Sequence, residues 1–164
     1  HEMAQLSCQT GWGRAYPRHY EINVIPSQDL LETIEHESIH VFFNNLVGGE
    51  SNTFFSEGIV EYTFNMLNPK RYQEKVDITK KFLAEPIERW VDESIGFHET
   101  PQIEGGWSVA YPVSGVFVKY LVDQYGLERF KTFYRYKASE IRRAFKEAYH
   151  KSIEEIVQEW RVAI

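Results

Sequence analysis

"TIEHESIHVFF", Thr33 to Phe43, sets two histidines four positions apart with a glutamate directly after the first. On an α-helix, residues four apart stand about 40° apart around the axis and one turn along it. His36 and His40 can therefore turn both imidazoles toward one point, with Glu37 beside them. The flanking residues support a helix. Ser27 after Pro26 is a suitable N-cap, Asp29 favours the helix dipole, and Gly48-Gly49 makes a stop, which predicts a helix from about Gln28 to Val47. Leu30, Ile34 and Val41 fall on one side of it and Leu31, Ile39, Phe42 and Leu46 on another, so a helix running through the interior is expected. Two histidines and a glutamate in such a place each need a partner. A metal ion would supply all three partners together. H-E-x-x-H at this spacing is a zinc-binding pattern, and a catalytic zinc takes a third protein ligand from elsewhere while keeping one position for water. The pentapeptide alone is short enough to arise by chance.

Working outward, a period-two alternation occurs in "WGRAYPRHYEINVIP", where Tyr20, Ile22 and Val24 alternate with His19, Glu21 and Asn23. This predicts a strand from about Arg18 to Ile25, with a second short strand in "GWGRAY". Beyond the histidine helix, further helices are expected from Ser56 to Leu67, from Lys70 to Ala84 and, shorter, near Ile87 to Asp92. A long loop mixing Pro, Gly and acidic residues follows, of the kind that often carries function. From Ser108 onward the pattern is helical again: Ser108 to Tyr125, Leu127 to Lys137, Ser139 to Tyr149 and Ser152 to Val162. The expected class is α+β: a helix-rich domain with a small N-terminal β-sheet, a buried active-site helix and a C-terminal helical bundle. No internal repeat interrupts it.

Composition is consistent with one domain spanning 1–164. Hydrophobic residues make up 43% and charged residues 26%, which is ordinary for a globular chain. The net charge of −6 leaves no basic face for nucleic acid, since Lys and Arg gather only at Lys80 and Lys81 and from Arg142 to Lys146. Cys8 is the only cysteine, so an intrachain disulfide and a thiolate metal cluster are both excluded. The longest apolar run, "GVFVKYLV", is too short to span a bilayer, and no apolar signal core stands at the start. A soluble protein is expected, either cytoplasmic or exported after signal removal. Its oligomeric state is left open.

The third ligand is sought downstream. "FFSEGIVEYTF" places Glu57 and Glu61 on one face of the second helix, with sixteen residues between His40 and Glu57. The combination resembles the gluzincin metallopeptidases, the thermolysin-like and peptidase-MA-like enzymes, in which H-E-x-x-H is followed by a helix opening with E-G or E-x-x-x-[D/E]. "AYPVSGVFVKYLVDQYGLERFKTFYR" and "FKEAYHKSIEEIVQEWR" are similar to the later helices of peptidase-MA-like proteins, so the resemblance runs from about Thr33 onward. Three features depart from it. Glu35 stands where an apolar residue commonly precedes the first histidine, Phe55 replaces a usual Leu, and the G-x-M-E-N motif of zinc aminopeptidases is missing.

The resemblance implies a zinc peptidase domain in which His36, His40 and Glu57 bind zinc and Glu37 is the general base. Glu61 would accept the free N–H of the first histidine. Tyr111, just before Gly115, or His98 in the long loop would stabilise the oxyanion. The substrate implied is a peptide or protein. Two other readings compete: a catalytically inactive gluzincin-like zinc-binding or protein-interaction domain, and a plain helical domain whose H-E-x-x-H is fortuitous. Retention of Glu37 disfavours the first, because a structural site needs no base.

Overall fold

A computed structural model describes residues 13–16, 21–24, 30–48, 52–92 and 105–164. The expected N-cap at Ser27, the stop at Gly49, Cys8, His19 and the loop residue His98 lie outside the described residues. The chain divides into two compact units, His1–Leu46 and Val47–Ile164.

In the first unit, strands β1 (Gly13–Tyr16) and β2 (Glu21–Val24) pair antiparallel, with Gly13 opposite Val24 and Tyr16 opposite Glu21. Helix α1 runs from Leu30 to Val47. This corrects the α+β expectation. The described residues are almost entirely helical, and the two four-residue strands form a ribbon rather than a sheet layer. The alternation that suggested a sheet is confined to one short segment, and two strands cannot build a layer for helices to pack on.

The interior course expected for α1 is corrected too. Glu37, His40, Phe43 and Val47 are buried, whereas Leu31 and Phe42 are 72% and 70% exposed, and Ile34 and Leu46 are exposed as well. Apolar residues all around a helix do not require burial all around it, because much of any protein surface is apolar.

The second unit holds α2 (Thr53–Leu67), α3 (Pro69–Lys81), α4 (Ile87–Asp92), α5 (Trp107–Tyr125), α6 (Leu127–Tyr134), a 3₁₀ turn at Ala138–Glu140, α7 (Ile141–Tyr149) and α8 (Ile153–Ala163). Caps set most of these boundaries. Asn68 accepts the Arg71 N–H ahead of Pro69 at the first helical position of α3, and Ser152 and Glu155 form a reciprocal capping box on α8. His150 closes α7 in the left-handed region, φ 59°, with its N–H on the Lys146 carbonyl.

An aromatic cluster forms the core. The ring of Phe55, fully buried, meets those of Phe117, Phe130, Phe133 and Phe145 at 4.6 to 6.4 Å, and Phe117 meets Trp160 at 5.1 Å. Each buried ring contributes about 1.5–3 kcal/mol of transfer free energy, so this cluster dominates the packing. At its edge, Lys151 bridges both carboxylate oxygens of Glu159, which also accepts the Tyr125 hydroxyl at 2.8 Å. Burial, then the Tyr125 and Glu159 charges, push Tyr120 up to about 12; burial and the Glu159 bond do the same for Tyr125. Both phenols stay protonated, and Tyr125 ties α5 to α8 through Glu159.

α2 and α5 make the tightest crossing, and glycine permits it. A Cβ on Gly58 would lie 2.6 Å from Val118 Cγ2 and 3.0 Å from the Ser114 carbonyl oxygen, and one on Gly115 would overlap the Cβ of Glu61. The Glu61 Cβ is fixed to the α2 backbone and cannot rotate away. Gly115→Ala should therefore cost about 1–3 kcal/mol, a fall in Tm of several degrees. Thermal and urea unfolding check this; an unchanged midpoint would mean that the two helices do not approach so closely.

Candidate functional site

α1 presents His36 and His40 one turn apart. Their Nε2 atoms lie 3.1 Å from each other, with ring centroids 4.9 Å apart and planes at 69°. His40 and Glu37 are each 8% exposed, and His36 is half-buried. Two nitrogens bound to one tetrahedral zinc at about 2.0–2.1 Å are separated by about 3.3 Å. The observed spacing matches that edge closely, so the pair fits a metal without a change of rotamer. It also fits a direct N–H···N bond between neutral imidazoles, in which one ring donates and the other accepts.

Glu35, the residue that departs from the family pattern, is exposed. Its charge stays hydrated and carries no desolvation cost. The residue preceding the first histidine points away from the buried side of α1, where Glu37, His40 and Phe43 lie.

α2 carries a row of buried polar residues. Glu57, Glu61 and Asn65 succeed one another at single-turn intervals and are 4%, 5% and 3% exposed. A charged side chain is rarely so buried without a counterpart. For Glu61 the counterparts are the α3 cations: Lys75 Nζ at 3.3 Å and Arg71 Nη2 at 3.9 Å. The resemblance implied the first histidine as its partner. The Asn68-Pro69 junction turns α3 back beside α2, and Arg71 and Lys75, four apart, present their charges to the buried carboxylate.

Tyr111 sits in the second turn of α5, half-buried, with its ring 5.3 Å from that of Trp107. His36, Glu37 and His40 belong to the first unit, and Glu57 and Tyr111 to the second. One residue escaped the sequence reading altogether. α2 starts at Thr53 rather than Ser56, because Asn52 is its N-cap, with Oδ1 accepting the Phe55 N–H at 3.1 Å. The signal was present: an asparagine directly before Thr-Phe-Phe is a helix-start pattern, masked by the neighbouring Gly48-Gly49.

Among the described residues, no helix is long and apolar enough to cross a membrane. No protein-family model matches the chain, and comparisons with curated proteins and with solved structures find no match either.

The Glu61 arrangement is testable. Glu61→Gln should lower stability by roughly 1–3 kcal/mol, since Lys75 and Arg71 lose their buried counter-charge, and should leave metal affinity unchanged. Unfolding and metal titration of the same variant check both parts. Weakened metal binding at unchanged stability would instead assign Glu61 to a histidine.

Proposed function

We propose that the chain is a zinc-dependent peptidase in which His36, His40 and Glu57 hold the ion and Glu37 serves as general base. The three ligands offer two imidazole nitrogens and a carboxylate oxygen, a donor set able to hold a metal ion and suited to zinc with one position left for water. The observation that carries the reading is the His36–His40 pair: two ring nitrogens at 3.1 Å, close to a tetrahedral edge, with a buried glutamate between them in sequence.

When bound, the ion supplies Lewis acidity, polarising a peptide carbonyl and making water acidic near neutral pH. The protein's own groups do the rest. Glu37 takes the proton from the attacking water and passes it to the departing amine. Its burial weakens competing solvation, which favours the transfer. Tyr111, in the second turn of α5, would donate its hydroxyl in a hydrogen bond to the developing oxyanion.

Metal analysis combined with a peptide-library cleavage assay tests the proposal on the wild type, Glu37→Gln and Glu57→Gln. The wild type should carry one zinc per chain and cleave. Glu37→Gln should keep the zinc and lose roughly 10²–10⁴-fold in cleavage rate, and Glu57→Gln should bind zinc measurably more weakly, through the two histidines alone. A wild type without bound metal, or a Glu37→Gln variant as active as the wild type, overturns the reading.

A further inference from the structure

Asn52 performs two tasks with one side chain. Its Oδ1 caps α2 through the Phe55 N–H, and its backbone oxygen accepts the N–H groups of Phe55 and Ser56 at 3.2 and 3.0 Å. Its Nδ2 donates to the Val91 carbonyl at 2.7 Å, a buried bond spanning 39 residues of sequence. Val91 is in the last turn of α4, where carbonyls have no partner within their own helix, and the residue itself is fully buried. Asn52 is 3% exposed, so neither bond exchanges readily with water.

Glu57 lies five residues past this cap, in the second turn of α2. The first turn of a helix can fray, and fraying loosens the backbone that leads into the second turn. The Val91 bond removes that freedom by holding the cap residue to a second helix. Phe55, between Asn52 and Glu57, is locked in the aromatic core, and Gly58 sets the distance to α5. These contacts fix α2 on either side of Glu57, and Asn52 fixes where the helix begins.

We infer that Asn52 is a positioning residue for the metal ligand Glu57, acting by fastening the first turn of α2 to the end of α4. The inference rests on the proposed ligand role of Glu57. Serine at this position keeps a capping oxygen and cannot reach Val91, whereas alanine loses both bonds.

A double-mutant cycle on the full chain tests it. Zinc affinity is measured by competition with a chelator, and far-UV circular dichroism verifies that the variants are folded. Asn52→Ser should keep its helix content and weaken zinc binding about 10-fold, in the range found for residues that orient metal ligands. In a Glu57→Gln background the same substitution should have no further effect, because the carboxylate it orients is gone. Asn52→Asp, nearly isosteric and able to cap, gives the same comparison if the serine variant fails to fold. Unchanged zinc affinity in Asn52→Ser, or an equal loss in both backgrounds, overturns the inference while leaving the ligand assignment standing. A wild type that binds no zinc overturns both.

Discussion

Burial of carboxylates in α2 is the constraint on which the rest of the structure depends. Glu57 and Glu61 sit one turn apart on a helix whose other buried residues are largely apolar. Leaving either charge without a counterpart would cost several kcal/mol, a large fraction of the stability of any domain. The two are matched in different ways. Glu61 receives Lys75 and Arg71 from α3, a cation pair that keeps contact with water at 20% and 28% exposure. In the proposed function Glu57 is also a ligand to a metal ion held with His36 and His40.

Close packing gives these charges fixed positions. Gly58 follows Glu57 directly, and Gly115 faces Glu61, so the carboxylates stand on the stretch of α2 that lies nearest α5. Phe55 anchors the same stretch through the rings of Phe117, Phe130, Phe133 and Phe145. Asn52 then fixes the helix start. Rigid support of this kind is what a metal site requires, because ligand atoms displaced by half an ångström lose much of their affinity. The E-G dipeptide therefore joins a chemical residue to a packing residue.

Much of this was legible in the sequence because it depends on local rules. The i, i+4 spacing of His36 and His40 fixes their common face, and Gly126 marks the boundary of α5 and α6 where the structure places it. The illegible parts depend on distant residues. The partners of Glu61 come from a helix that packs back against α2, and the partner of Asn52 is 39 residues away. The exposure of Leu31 and Phe42 was hidden for another reason: periodicity shows which residues share a face, not which face is covered. Short alternation likewise suggested a sheet where the described residues form a two-stranded ribbon, because alternation says nothing about how many strands will pair.

The central claim is that one ion is held by two imidazoles of α1 and a carboxylate of α2. X-ray absorption at the zinc edge, on the protein loaded with one equivalent of zinc, tests it most directly. The expected spectrum shows about four light-atom donors at about 2.0–2.1 Å with the multiple scattering of two imidazoles, reduced to one in His40→Ala. A six-oxygen shell without imidazole scattering, or a spectrum identical in the wild type and His40→Ala, would contradict it.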